Sequence, residues 1–331
     1  MTGTEERDLL RQTVAALVDR HATAEAVRAA MESPRGYDES LWQVLCEQVG
    51  AAALVVPEEL GGAGGALADA AVVLEELGRA LVPTPLLGTT LAELALLAAP
   101  QPDADALERL AAGTALGTVV FVAAGGDHDD YVLNGDLVGA ADTDAVVIGT
   151  DGTRLARWET FEATAVATMD PTRRLGRVTA GATAAIGPDP GIGDYAALLL
   201  AAEQVGAASR CLDLTVAYTK DRVQFGRPIG SFQALKHRMA DLYVVVQAAR
   251  AVVADAIADP SPTSAALARF TASEAFSAVA AEAVQLHGGI AITWESDIQL
   301  YFKRAHGSSQ LLGAPADQLR RLQAEVLGSA G

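Results

Sequence analysis

Apolar residues recur at intervals of three and four along most of the chain, and at intervals of two in one stretch near its middle. From Glu5 to Met31, Leu9, Leu10, Val14, Leu17 and Val18 fall on one side of a helix, which Pro34 to Asp38 breaks. Ser40 opens a second helix through Leu41, Val44, Leu45 and Val49. The glycine-rich run from Val56 to Gly65 follows, then helical patterns over Leu91–Leu97 and Asp103–Ala112. Between Thr118 and Ala185 the period changes. Short apolar runs at 119–122, 131–133, 145–148, 165–167 and 176–178 alternate with turn pairs such as Asn134-Gly135, Asp151-Gly152 and Asp170-Pro171, the pattern of antiparallel strands. Helical spacing returns over about 194–222, 231–258 and 262–287, with a final stretch to the C-terminus. The expected fold is mainly α with a small β domain, divided as residues 1–115 (helical), 116–190 (antiparallel β) and 191–331 (a helical bundle).

Composition narrows the function classes. With 331 residues, half of them hydrophobic, the chain is long enough for two or three domains around a sizeable core. A net charge of −18 argues against nucleic acid and anionic membrane surfaces as partners, since both select basic patches. Glu5, Glu6, Asp8, Arg11, Asp19 and Arg20 interrupt any apolar leader, and no long uncharged apolar run reads as a membrane span, so a cytoplasmic place is expected. Cys46 and Cys211 lie far apart on helical patterns and read as two buried thiols, with neither a disulfide framework nor a metal site. The glycines between Val56 and Gly65 lack the preceding strand and following lysine of a phosphate loop, and read as a turn between helices.

The stretch from Ala217 to Tyr243 reads as helix, turn, helix. Gly226, Pro228 and Gly230 stop the first helix, Ser231 is placed to cap the second, and Leu235, Met239, Leu242 and Val246 give that second helix an apolar stripe. Between the helices Arg222 offers a planar fork for phosphate oxygens, Gln224 and Gln233 offer amide donors, and Phe225 offers a flat ring face, a combination that suits a dinucleotide. Further on, Gln285-Leu-His-Gly288-Gly289 ends a helix at a glycine pair that allows close backbone approach.

Arg222-x-Gln-Phe-Gly-x-Pro-Ile-x-x-Phe-Gln-x-x-x-His237-x-x-Ala-Asp241 closely resembles the signature of the acyl-CoA dehydrogenases. The resemblance spans nearly the whole chain and implies that family's three regions: N-terminal helices, a middle β domain and a C-terminal four-helix bundle used for oligomerisation. It implies FAD as cofactor, an acyl-CoA thioester as substrate and an electron-transfer flavoprotein as acceptor. The chain is then one member of a dimer or tetramer, formed with itself or with a second acyl-CoA dehydrogenase-like subunit. It further implies that Arg222, Gln224, Phe225 and Gln233, joined by Gln285, Gly288 and Gly289, hold the adenosine diphosphate end of the FAD of a neighbouring subunit.

Two departures from the family pattern bear on mechanism. Typical members open the β domain with a Thr-Glu-Pro-x-x-Gly-Ser-Asp segment that holds the flavin ring, whereas Phe121 to Asp129 carries no such hydroxyls. Typical members also place a glutamate base in a Glu-Gly-Thr segment shortly after an arginine equivalent to Arg304. Here no acid lies between Asp297 and Asp317, and His306 is the one other titratable group there suited to accept a proton. The alternative early-helix position of that glutamate falls near Ala196. Glu203 lies seven residues further on, about two turns along the same helix, and is the only acid from Tyr195 to Val205. Three readings follow. The chain is the partner subunit of a heteromer, similar to the actinobacterial α2β2 enzymes that act on steroid-derived CoA thioesters; or a self-sufficient dehydrogenase with Glu203 as base; or a non-catalytic scaffold descended from the family.

Overall fold

The computed structural model describes residues 3–122, 131–132 and 145–328. The expected loss of hydroxyls between Phe121 and Asp129, and the turn at Asn134-Gly135, fall largely or wholly outside these residues.

The first helical pattern resolves into two elements, α1 (Gly3–His21) and α2 (Ala24–Glu32). The break is local chemistry: the Thr23 hydroxyl accepts the N–H of Ala26 at 3.2 Å and starts a new helix. Val14, Leu17 and Val18 are buried as their spacing requires, whereas Leu9 is exposed. The next helix, α3 (Glu39–Val44), is opened by Asp38 instead of Ser40, because the carboxylate accepts from both Ser40 and Leu41 N–H. After the turn at Glu58–Leu60 come α4 (Leu67–Arg79), α5 (Leu86–Leu97) and α6 (Ala104–Ala111).

The β region holds β1 (Gly117–Phe121), β2 (Tyr131–Val132), β3 (Val146–Thr150), β4 (Arg154–Trp158), β5 (Phe161–Val166), β6 (Leu175–Ala180) and β7 (Thr183–Pro188). One sheet runs β1-β3-β4-β7 and the other β2-β6-β5. The antiparallel expectation fails at one pair: β1 and β3 are parallel, with Gly117 opposite Val146. The intervening strand β2 belongs to the other sheet, antiparallel to β6, and parallel neighbours such as β1 and β3 cannot be joined by a tight hairpin turn. The strands β4 and β7 are not legible as apolar runs: β4 sets two arginines among its buried Leu155 and Trp158, and β7 carries small residues and no fully buried position.

The central element is α7 (Ile192–Asp221), whose residues Ala196 to Ala208 are buried on every side. It is followed by the two-stranded ribbon of β8 (Val223–Gln224) and β9 (Arg227–Pro228), then by α8 (Gln233–Ala258), α9 (Pro262–His287), α10 (Ile298–Gln310) and α11 (Pro315–Leu327). Ser231 does not cap α8. Its hydroxyl donates to the Pro228 carbonyl and completes a 3-10 turn, and Phe232 occupies the cap position without a side-chain bond. Ser261 caps α9 and Pro262 begins it. The stretch Pro262–Ile292 is long and apolar enough to cross a membrane by length and composition. Its Ala265, Phe276 and Val279 are buried in the protein.

Helices α4 and α7 cross almost backbone to backbone. A Cβ on Gly206 would lie 1.9 Å from the Glu75 carbonyl oxygen, and one on Gly78 would lie 2.3 Å from that of Glu203. Only glycine at both positions permits this approach. The crossing coincides with the division between two apolar clusters: Ala196 to Val205 of α7 pack with the N-terminal helices and sheet, while Ala207 to Leu212 pack with Met239, Phe276 and Tyr301.

Candidate cofactor half-site and a buried charge cluster

Arg222 ends α7 in an extended conformation, with its N–H donating to Tyr218 at 2.9 Å. From there the ribbon pairs Val223 with Pro228 and Gln224 with Arg227, leaving Phe225 and Gly226 as a two-residue turn at φ 54° and 76°. Both central residues at positive φ give the turn whose twist suits a tight ribbon, but Phe225 is a poor residue for it. Its ring is 92% exposed, touching Phe232 edge-on at 6.1 Å, and Arg227 lies 4.1 Å above the Phe232 ring. A bulky apolar side chain both strained and solvated is costly for the chain by itself.

Arg222, Gln224, Gln233 and Gln285 are all exposed. The Gln224 amide donates to the Val223 carbonyl at 2.8 Å and the Gln233 amide lies 3.5 Å from His237. The Arg222 guanidinium has no hydrogen-bond or ion-pair partner among the described residues. Gly288 ends α9 at φ 65°, and nothing lies within 4 Å of where a Cβ on Gly288 or Gly289 would be. The two segments are tied together by residues that periodicity did not single out: the Tyr218 ring stacks on His287 at 4.0 Å and 13°, and its hydroxyl donates to the His287 carbonyl. Burial lowers the His287 pKa, so the ring is neutral at pH 7. A free fork, amide donors, an exposed ring and open glycine backbone form a donor set that fits the pyrophosphate and adenosine of a dinucleotide.

Glu203 stands in a different environment. It is buried on α7, one oxygen bonded to the Arg173 guanidinium and the other to Arg304 Nη1 at 2.6 Å. Arg304 reaches across to the β region, with Nε 2.8 Å from Asp170 Oδ2 and Nη2 donating to the Thr172 carbonyl at 2.7 Å. Asp170 in turn accepts the Thr172 N–H at 2.9 Å. Burial alone raises the Glu203 pKa, but the two guanidiniums outweigh it and hold the carboxyl at about 2. Arg269, also buried, donates to Gln204 at 2.7 Å and to the carbonyls of Ser308 and Leu311 at the end of α10. These ion pairs weld Asp170-Pro-Thr-Arg173 to α7 and α10. The cluster was half visible in the sequence, as the single acid of an apolar run and an Asp-Pro turn, but its arginines gave no signal of burial.

His306 is exposed on α10, edge-on to Phe302 at 4.8 Å. Cys211 is buried and Cys46 half-buried, both free, and burial pushes the Cys46 thiol up to about 12. Among the described residues no group of three His, Cys, Asp or Glu side chains is placed to hold a metal ion.

The sequence matches the family described as "Acyl-CoA dehydrogenase, N-terminal domain" over residues 4–114 and "Acyl-CoA dehydrogenase, C-terminal domain" over residues 194–327. It is 70% identical over 322 residues to "Acyl-CoA dehydrogenase IpdE2" of Mycolicibacterium smegmatis, covering 97% of this chain and 99% of that one. The like-named protein of Mycobacterium tuberculosis is 68% identical over 326 residues, covering 98% and 99%. Among solved structures, "Tcur3481-Tcur3483 steroid ACAD G363A variant" superposes with a TM-score of 0.86 at 31% identity, over 99% of both chains. The "ChsE4-ChsE5 complex from Mycobacterium tuberculosis" superposes with a TM-score of 0.85 at 28% identity, over 100% of this chain and 99% of that one.

Proposed function

The chain belongs to the acyl-CoA dehydrogenase family, and from that premise we propose that it serves the FAD-dependent α,β-dehydrogenation of an acyl-CoA thioester as the subunit that offers the adenosine diphosphate half-site to a catalytic partner. The observation that carries this reading is a contrast within one chain: an exposed, unpaired guanidinium beside a strained, solvated phenyl ring, and a carboxyl locked between two buried guanidiniums.

Bound FAD supplies the acceptor for the β-hydride. Arg222 would hold pyrophosphate oxygens, Phe225 would offer its ring face to the adenosine end, Gln224, Gln233 and Gln285 would donate hydrogen bonds, and Gly288 and Gly289 would let the backbone come close. Removing the α-proton requires a carboxylate whose pKa is raised toward that of the carbon acid. Glu203 is held at about 2 with both oxygens engaged, the reverse of that requirement, so the partner contributes the base. His306, exposed on the surface of α10, is left outside the chemistry. The paired names of the two heteromeric neighbours support a two-chain assembly, and the word steroid in one of them supports a steroid-derived thioester. An electron-transfer flavoprotein as acceptor follows from the family alone.

The test is to purify the chain alone and together with a second acyl-CoA dehydrogenase-like chain. The chain alone is expected to be colourless and inactive, and the pair yellow and active. Stoichiometric flavin and turnover in the chain alone would sink the reading. In the pair, Arg222→Ala is expected to weaken FAD retention by roughly ten- to a hundredfold, the loss of one charge-assisted bond, measured by flavin release on dilution. Unchanged retention would favour a scaffold.

A further inference from the structure

A groove of about 780 Å³ opens where α1, α2, the last turn of α4, the middle of α7 and the first turn of α10 meet. It shares no residue with the half-site or with the Glu203 cluster. Its apolar wall includes Val18, Ala22, Leu214 and Leu300. Along it runs a chain of ion pairs. Arg250 Nε lies 3.0 Å from Glu75 Oε1, and Arg11 Nη1 lies 2.9 Å from Glu75 Oε2 and 2.8 Å from Glu76 Oε1. Arg79 lies 3.5 Å from Glu76 and 3.3 Å from Asp213, and Arg28 lies 2.6 Å from Asp297. Arg210 stands in the same groove with no hydrogen-bond or ion-pair partner among the described residues. The Tyr301 hydroxyl beside it is already spent, donating to the Arg79 carbonyl.

The lining sets five arginines (11, 28, 79, 210 and 250) against four acids (Asp19, Glu75, Glu76 and Asp297), and Arg79 also reaches a fifth acid, Asp213, so the charges around the groove balance and Arg210 is the arginine they leave unpaired among the described residues. The unengaged fork of Arg210 matches a carboxylate. The volume falls within the roughly 300–1,000 Å³ of small-molecule sites. A protein partner instead requires a broad surface of roughly 800 Å² on each side.

We propose that this groove binds an amphipathic carboxylate, with Arg210 contacting the anion and the wall of Val18, Ala22, Leu214 and Leu300 covering the apolar tail. Because Arg210 is exposed, its pairing is screened by water, and the tail supplies most of the affinity. Affinity then rises roughly fourfold for each added methylene that the groove covers.

Isothermal titration of the full chain, and of its complex with the partner chain, with octanoate, decanoate and neutral 1-octanol tests this. One carboxylate is expected per chain, decanoate tighter than octanoate, and octanol roughly tenfold weaker than octanoate. Arg210→Ala is expected to bring octanoate down to the level of octanol while melting as the unaltered chain does, and Leu214→Glu to remove binding of both. Equal binding of octanol and octanoate, undiminished binding by Arg210→Ala, loss of binding in the complex, or no saturable heat at millimolar ligand would each overturn the proposal.

Discussion

Glu203 and Glu93 are both withdrawn from water, the first between two guanidiniums and the second with neither oxygen hydrogen-bonded among the described residues. Their pH signatures are opposite. The folded pKa of Glu203 lies near 2, below its ordinary 4.5, so its stabilising contribution is complete above about 4.5 and is lost as pH falls toward 2. Glu203→Gln leaves buried guanidiniums short of charge and is expected to cost about 3–5 kcal/mol at neutral pH. Urea unfolding over a pH series should show that cost shrinking through the acid window; a near-neutral effect at pH 7 would contradict the assigned ion pairs. Burial raises the Glu93 pKa well above its ordinary value, so its ionisation opposes folding increasingly as pH rises from about 4.5. Glu93→Met is therefore expected to stabilise the chain by about 1–3 kcal/mol at pH 7, with the gain fading in acid. A Met variant that melts lower than the parent at pH 7 would count against this. At this scale the sequence showed Glu203 as an acid in an apolar run. It did not show what faces that acid, because Arg173 and Arg304 are distant in sequence and ordinary in local pattern.

The β8–β9 ribbon is the element whose composition conflicts with its conformation. Asn or Gly at Phe225 would fit a positive φ better and remove an exposed ring. Phe225→Gly is thus expected to leave the isolated chain as stable or up to about 1 kcal/mol more stable, while loosening FAD in the assembled enzyme. Denaturant midpoints and flavin content separate the two effects. A ribbon that merely serves the fold would lose stability instead. The α4–α7 crossing behaves in the opposite way. Gly206→Ala forces the helices apart at Glu75 and is expected to cost at least about 1–3 kcal/mol in urea unfolding. Periodicity shows the type of the long helices and of the more apolar strands but not of α4, β4 or β7, and boundaries only where the capping residue is the first candidate met. Thr23 and Asp38 are caps whose chemistry is plain once seen, but Ser40 and an unbroken apolar stripe competed with them.

At the scale of the whole molecule, the proposed half-site faces outward, and its ligand is expected to stabilise only the assembly that completes it. FAD at a hundredfold its dissociation constant adds about 2.7 kcal/mol to a state that binds it. Thermal melting with and without FAD should therefore show an upward shift for the two-chain complex and none for the chain alone; an equal shift in both would place the whole cofactor site in one chain.

Most of the long helices, several of the short strands and the run from Arg222 to Asp241 follow from the sequence by itself, because helix spacing, turn residues and a local motif are properties of neighbouring positions. The state of Glu203, the parallel pairing of β1 with β3, the Tyr218–His287 bridge and the arginine-lined groove were decided only in three dimensions. Each depends on groups far apart in the chain meeting in a shared dielectric environment. Charge pairing and desolvation act through space, whereas periodicity records only one residue's relation to the next few.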